Sequence, residues 1–288
     1  MVILFENLHA DKVNEYELVL RSSGIAYDVN KGAYGWNILV GSADYERALN
    51  TIEKYLSENP VTGGDRQIPQ LHYQKTFSGL GVCVMLVLFY MLMAMGTDNQ
   101  AFMSTYGSSA FNILHGELYR TVTSLMVHAN VVHLACNVVG IAVFGTAVCS
   151  ITGAGVGWFL ILITGIVGNL MNAFLYQKNH ISIGSSTAIF GAIGILAGYQ
   201  FLRKTRQPEM RIKAWIPLAG GLALLAILGS GKYSDLTAHL FGFVSGIVMG
   251  IGYNLVAKTP PRRLYQIGLL FIGSGLIAVS WIIGMSIR

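Results

Sequence analysis

Charged residues are scarce in this chain of 288 residues, where they make up 11% of the sequence. Soluble domains usually carry about twice that fraction. Hydrophobic residues reach 53%, and glycine is abundant at 34 residues. This composition excludes an ordinary soluble protein for most of the chain and predicts a polytopic membrane protein.

Cysteine is also rare, and the three cysteines, Cys83, Cys136 and Cys149, all lie in apolar runs. Their spacing matches neither a metal site nor a disulfide framework, so we expect them to be packing residues. A basic leader followed by a long apolar core is missing from the first residues, and a signal peptide is therefore not expected. Internal repeats, which many transporters have, are not evident either.

The net charge of +5 raises the question of nucleic-acid binding. However, the basic residues cluster between apolar segments, where a membrane surface explains them better. We therefore predict lipid headgroups, and not nucleic acid, as the partners of these residues.

Residues 1–62 predict a small α+β domain, with a polar linker at 63–77. The order strand, helix, strand, strand, helix favours an α+β sandwich. Its expected elements are at 2–5, 11–22, 26–30, 36–40 and 43–56.

Seven apolar segments follow this domain. A helix needs about 20 residues to span a bilayer, and most of the segments qualify. The fourth is short, reaching only about 25 Å at 1.5 Å per residue, so its start is expected below the membrane surface. The segments are at approximately 78–96, 131–150, 156–176, 186–202, 214–230, 236–257 and 266–285.

Loop charge predicts the orientation. The loops after the fourth and sixth segments are rich in basic residues, whereas the opposite loops hold only Arg120, Lys178 and Lys232. This asymmetry places the basic loops and the N-terminal domain in the cytoplasm and the C-terminus outside. The long loop at 97–130 then lies outside, partly in the membrane interface. The basic residues concerned are Arg203, Lys204, Arg206, Arg211, Lys213, Lys258, Arg262 and Arg263.

This topology brings four polar residues to a similar depth in the outer part of the membrane. His133 and Asn137 share one face of the second segment, Ser186 opens the fourth, and His239 lies one turn into the sixth. Small residues allow the fourth and sixth segments to approach closely. These small residues are Gly194, Gly198, Gly242, Gly246 and Gly250.

Such a site suits nucleophilic catalysis. His239 is the candidate base for Ser186, and Phe190 is placed to pack on the imidazole. The backbone N–H of Ser186, together with His133 and Asn137, would stabilise an oxyanion.

Each residue also has a structural explanation. Ser186 can be a helix N-cap, and Ser185 and Ser182 compete with it as nucleophile. His239 can be a buried histidine, and His133 and Asn137 can join helices, as can Asn169 and Asn172. Asp235 can orient the imidazole in a triad, although solvation near the loop is favoured. His115 and His128 are expected in the interface.

The motifs resemble those of the rhomboid intramembrane serine proteases. Gly184-Ser185-Ser186-Thr187 is similar to the family's Gly-x-Ser-Gly element, and Ala238-His239 with Gly242 and Gly246 to its Ala-His-x-x-Gly-x-x-x-Gly element. His133 with Asn137 matches the His-x-x-x-Asn oxyanion element. Tyr119-Arg120 resembles an aromatic–arginine pair that is structural in the family.

The resemblance implies a six-helix protease core over 78–257, with the helix at 266–285 as an addition. It implies a Ser186–His239 dyad that cleaves membrane-protein substrates near the outer face, in a bacterial inner membrane, without metal or cofactor. Thr187 stands where the family usually has glycine, which affects the expected oxyanion geometry. A non-catalytic rhomboid-like scaffold that binds transmembrane clients is the alternative.

Overall fold

The computed structural model describes residues 1–32, 35–59, 73–94, 99–178, 180–207, 210–228, 234–257 and 260–287. The chain divides into two compact units, Met1–Gln70 and Leu71–Arg288. Most of the predicted linker, residues 63–72, lies outside the described residues.

The first unit is a three-stranded antiparallel sheet with two helices. The central strand is β3 (Trp36–Val40), which lies between β1 (Val2–Leu8) and β2 (Tyr27–Lys31). Val40 of β3 pairs with both Val2 and Tyr27. Both helices share a buried apolar core with the sheet. The order of elements is the one expected from the sequence. The elements are β1 (Val2–Leu8), α1 (Ala10–Ser22), β2 (Tyr27–Lys31), β3 (Trp36–Val40) and α2 (Tyr45–Glu58).

The second unit is helical, and all seven predicted apolar segments coincide with helices. Short elements between α3 and α7 occupy the loop predicted to lie in the interface. The elements of this unit are α3 (Ser78–Ala94), α4 (Asn99–Tyr106), β4 (Ser108–Ser109), α5 (Ala110–Leu114), α6 (Arg120–Thr123), α7 (Val131–Gly140), α8 (Thr146–Thr152), α9 (Ala154–Tyr176), β5 (Ile181–Ser182), α10 (Ser186–Thr205), α11 (Ile216–Leu228), α12 (Leu236–Val256) and α13 (Arg263–Ser286).

Within the described residues, four helices are long and apolar enough to cross a membrane: Val131–Thr152, α9, α12 and α13. The first of them contains α7 and α8, joined by a π-helical turn at Ile141–Gly145. The helix α3 is apolar but shorter. The predicted helical membrane fold is therefore confirmed.

The helices α10 and α12 pack backbone against backbone. A Cβ atom added at Gly194 would lie 2.9 Å from the nitrogen of Ile247 and 3.0 Å from Cα of Gly246. A Cβ added at Gly198 would meet the backbone of Ile247 in the same way. Only glycine allows this approach, which holds the first turns of the two helices side by side.

The loop between α3 and α7 is a packed structure built around Arg120. The buried guanidinium donates to Glu117 (2.5 Å) and to the carbonyl oxygens of Ser104 (2.8 Å) and Gly107 (3.2 Å). Burial would raise the pKa of Glu117, but hydrogen bonds from Arg120 and Tyr119 outweigh it and lower the pKa. This arrangement fixes the chain that leads toward α7.

The helix α13, which corresponds to the seventh apolar segment, packs on this loop. Trp281 is buried against aromatic rings of α3 and α4, with its ring centroid 4.8 Å from those of Phe89 and Tyr106. Its indole N–H points at Sδ of Met126, 3.1 Å away. The additional helix therefore supports the segment that precedes α7.

Candidate active site

Ser186 and His239 are in direct contact. Ser186 is the first residue of α10, and His239 lies in the first turn of α12. Nε2 of His239 is 2.6 Å from Oγ of Ser186. The imidazole is 4% exposed, so this hydrogen bond is shielded from competing water. The two residues are 53 positions apart in sequence, and the glycine packing of their helices brings them together.

Two neighbours hold the imidazole. The ring of Phe190, one turn into α10, stacks on it at a centroid distance of 4.7 Å and an interplanar angle of 27°. Nδ1 lies 3.3 Å from Oγ of Ser234. In the tautomer with hydrogen on Nδ1, that nitrogen donates to Ser234 and leaves Nε2 free to accept from Ser186.

His133 and Asn137 lie against the turn that precedes Ser186. Gly184 has a φ of +105°, a conformation that favours glycine. A Cβ atom there would lie 2.6 Å from Nε2 of His133 and 3.2 Å from Nδ2 of Asn137. Asn137 is 3% exposed, and its Nδ2 has no hydrogen-bond partner among the described residues. A buried, unpaired donor of this kind is available to a negative charge that develops next to it.

His128, expected in the membrane interface, is buried inside the protein. Its side chain is 2% exposed, and its ring centroid is 5.3 Å from that of His133. Nδ1 is 3.1 Å from the carbonyl oxygen of Met126. Burial, with a smaller effect of His133, lowers the pKa of His128 to about 4. His128 is therefore a neutral residue that packs beneath His133, because the loop folds over it.

The two competing serines are placed differently from Ser186. The hydroxyl of Ser185 donates to the carbonyl oxygen of Leu125 at 2.8 Å and is buried. Ser182 lies in β5, where it pairs with Ser108 of β4. Among the described residues, the hydrogen bonds of His239 to serine are those to Ser186 and Ser234.

Thr187 and the glycines of α12 belong to the helix interface. A Cβ atom at Gly168 of α9 would lie 2.6 Å from Cγ2 of Thr187, and one at Gly242 would lie 3.2 Å from the same methyl. Gly246 lies one turn further along α12, against Gly191 and Gly194. The side chain of Thr187 therefore fills a space between three helices that two glycines leave open.

Asp235 is neither solvated nor in contact with the imidazole, and both expectations for it are wrong. Its carboxylate is 11% exposed and accepts hydrogen bonds from His180 and Asn172, each at 2.6 Å. It also caps α12 through the N–H of Ala238. The reason is topological: the chain before β5 folds back onto the start of α12.

Sequence reasoning assigned no role to three residues of the site, and it did not single out two of them, Ser234 and His180, at all. Gly184 stood in the recognised motif, and its place before the serine was a usable signal. No signal in the sequence pointed to Ser234 or His180, because polar residues are common in loops and the pattern around these two does not reveal which residues they contact. Asn169 does join elements as expected, since it donates to Thr121 and Ser124 at 3.0 Å.

The described residues hold no group of three or more histidine, cysteine, aspartate or glutamate side chains arranged to bind a metal ion. The chemistry that the site itself offers is that of a hydroxyl paired with an imidazole, beside the unpaired amide donor of Asn137.

Comparisons with known proteins find relatives of this part of the chain. The model of the Rhomboid domain matches residues 115–254, a range that contains all four polar residues of the site. Rhomboid protease GluP of Bacillus subtilis is 26% identical over 219 residues, covering 73% of this chain and 42% of that protein. Rhomboid-like protein 11, chloroplastic, of Arabidopsis thaliana is 35% identical over 156 residues, 51% of this chain and 56% of that protein.

Inactive rhomboid protein 2 of Homo sapiens is also similar, at 28% identity over 177 residues, 58% of this chain and 20% of that protein. The chain spans less than two thirds of the length of each of these three relatives. The matched region runs from the later part of the packed loop, which contains α6, through α7 to nearly the end of α12. The chain is an integral membrane protein that carries a Rhomboid domain at residues 115–254.

Proposed function

We propose that this protein is an intramembrane serine endopeptidase that cleaves transmembrane segments of membrane proteins. The observation that carries the proposal is the 2.6 Å contact between Nε2 of His239 and Oγ of Ser186 inside a helical membrane fold. A buried serine–histidine pair without a chemical task is costly in such a fold, because polar groups within membrane helices need hydrogen-bonding partners.

The reaction proceeds through an acyl-enzyme. Nε2 of His239 takes the proton of Ser186 as Oγ attacks the carbonyl carbon of the scissile peptide bond. The imidazolium then gives that proton to the leaving amine, and the C–N bond breaks. Water replaces the amine and loses a proton to Nε2. Its oxygen attacks the ester carbonyl, Ser186 regains the proton, and the carboxyl product leaves.

The negative charge of the tetrahedral intermediate is stabilised by three donors. The backbone N–H of Ser186 is at the N-terminus of α10, where the first amides have no partner within the helix and the helix dipole favours an anion. The unpaired Nδ2 of Asn137 and the imidazole of His133 lie beside the same turn. Each such donor typically lowers the barrier by about 3 kcal/mol.

Loop charge supports an orientation with the N-terminal unit in the cytoplasm and the C-terminus outside. Ser186 and His239 are then near the outer face of a bacterial plasma membrane, and the seven apolar segments form a six-helix core with one added helix. Substrates that unwind easily are favoured, because a helical segment keeps its carbonyl oxygens in hydrogen bonds.

A fluorophosphonate probe tests the nucleophile directly. Purified protein in detergent is expected to become labelled at Ser186, and the Ser186→Ala variant is expected to remain unlabelled. Ser185→Ala is the matched control. Its hydroxyl is buried on the carbonyl of Leu125, so this variant keeps the label. Labelling that survives in Ser186→Ala contradicts the assignment.

A rhomboid-like scaffold that holds membrane clients is the alternative, favoured by the similarity to inactive rhomboid protein 2. Thr187 in place of the family's glycine raised the same possibility. Its methyl group, however, lies toward Gly168 and Gly242 and fills the helix interface. An unlabelled wild type that still captures a single-span client in membranes identifies the scaffold.

Replacing Asn137 by alanine is expected to slow substrate cleavage about 100-fold, because one oxyanion donor disappears. Substrate affinity is expected to change little, since the amide acts on charge that develops only in the transition state. Cleavage rates at saturating and limiting substrate separate the two effects. Stability is expected to be retained, because Nδ2 has no partner to lose. A cleavage rate equal to that of the wild type contradicts the role.

A further inference from the structure

A second cluster of polar side chains surrounds the carboxylate of Asp235. One carboxylate oxygen accepts from Nδ2 of Asn172 and from Nε2 of His180, each at 2.6 Å. The other accepts from the backbone N–H of Ala238 at 3.0 Å and lies 2.8 Å from the hydroxyl of Thr237. This cluster contains neither Ser186 nor His239, and the reaction proposed above does not use it.

His180 connects the cluster to the nucleophile's side of the site. It lies just before β5, and its carbonyl oxygen accepts from the N–H of Ala110 at 2.9 Å. Its ring stacks on Tyr176 at the end of α9, with a centroid distance of 3.8 Å and an interplanar angle of 10°. Ser186 follows His180 by six positions in the sequence. A fixed His180 therefore limits where the strand and turn that lead to Ser186 can move.

Asp235 connects the same cluster to the base's side. It is the N-cap of α12, and its carbonyl oxygen accepts from the backbone N–H of His239 at 3.0 Å. One helical turn thus separates the carboxylate from the imidazole. Burial would raise the pKa of Asp235, but hydrogen bonds led by that of His180 hold it well below its usual range. Asp235 is therefore an anion beside the helix that carries the base.

We propose that the His180–Asp235 pair is a clasp that positions His239 against Ser186. The proposal rests on the proposed function, since it assigns the pair a role in the same reaction. The clasp joins the chain before Ser186 to the start of α12, so it sets the separation of the two halves of the site. Its carboxylate also favours the imidazolium that forms when Ser186 loses its proton, because opposite charges one turn apart attract.

The clasp is distinct from the packing that holds the bundle together. The side chain of His180 is 24% exposed, whereas α10 and α12 meet through buried glycines. Loss of the clasp is therefore expected to shift the first turn of α12 without separating the helices. A small displacement suffices, because a misplacement of about 1 Å can cost about 100-fold in rate.

The test measures the rate constant and the affinity of fluorophosphonate labelling separately. The His180→Ala variant is expected to lose between about tenfold and 100-fold in the rate constant, with affinity unchanged. His180→Gln, whose amide can donate to Asp235 in place of Nε2, is expected to recover most of that loss. His180→Ala combined with Asp235→Asn is expected to be no slower than the slower single variant, because both changes break one contact.

His115 supplies a matched control. Its ring stacks on Phe111 at a centroid distance of 4.0 Å, and its Nδ1 lies 2.7 Å from the carbonyl oxygen of Phe111. It thus resembles His180 in its aromatic contact but has no place in the clasp. His115→Ala is expected to label at the wild-type rate. Thermal unfolding in detergent, followed for each variant, shows that the fold is retained.

A wild-type rate constant in His180→Ala overturns the clasp, as does equal slowing in the alanine and glutamine variants. Additive losses in the double variant overturn it as well, because the effects of substitutions at independent sites add. A wild type that the probe never labels overturns the proposed function and this role with it. If the wild type is labelled and His180→Ala is labelled at the same rate, the clasp proposal is wrong, and the proposed roles of Ser186 and His239 are retained.

Discussion

Cleavage of a single-span substrate in membranes is expected to fall by at least about 1,000-fold when either Ser186 or His239 is replaced by alanine. The physical reason is that the hydroxyl is a weak nucleophile until Nε2 takes its proton, and the 2.6 Å contact makes that transfer possible. Gel analysis of the substrate after reconstitution of each variant into vesicles measures the loss.

The double variant sharpens this prediction. Groups that act as one unit are not additive, so Ser186→Ala/His239→Ala is expected to be about as slow as either single variant. Ser150→Ala is the control, because the hydroxyl of Ser150 donates to the carbonyl oxygen of Ala147 in its own helix, at 2.8 Å. Cleavage by His239→Ala at a rate near that of the wild type contradicts the dyad.

The helical membrane fold followed from the sequence because apolar length is a strong signal. Each predicted segment is a helix, although the ends moved. The fourth extends to Thr205 and includes the basic residues Arg203 and Lys204 in its last turn. Long stems let such side chains lie along an apolar helix while the charge stays in water. A prediction from apolar residues alone therefore ends this helix too early, before its basic last turn.

The contact between Ser186 and His239 was predictable for a different reason. The polar residues lie near the starts of their apolar segments, and glycines mark the faces where the helices approach. The spacing along the sequence therefore indicated which surfaces meet. The motif frame chose Ser186 over Ser185, and the structure directs the hydroxyl of Ser185 to Leu125.

The surroundings of the pair were not predictable. Whether Asp235 meets water, the imidazole or His180 depends on how the chain before β5 returns to α12, and no periodic pattern encodes that path. The burial of His128 likewise depends on the packed loop around Arg120. The composition of that loop does not show which of its polar side chains become buried.

Replacing Gly246 by alanine is expected to reduce labelling of Ser186 by about 100-fold, because the two helices that form the site must move apart by about 1 Å. The added Cβ would meet the backbone of α10, at 2.9 Å from the carbonyl carbon of Gly191 and 3.0 Å from Cα of Gly194. Backbone atoms cannot rotate out of the way as a flexible side chain can, so the strain passes to the contact between Ser186 and His239.

Gly252 on the same helix separates this effect from helix propensity. A Cβ atom there has no neighbour within 4 Å, and alanine favours a helix by up to about 1 kcal/mol over glycine. Gly252→Ala is therefore expected to keep the wild-type labelling rate and to unfold no earlier. If both alanine variants lose activity equally, the close approach of α10 and α12 is not what aligns the nucleophile with its base. A loss confined to Gly246→Ala ties catalysis to the glycine contact, because the two substitutions are chemically identical and differ only in what the added methyl group meets.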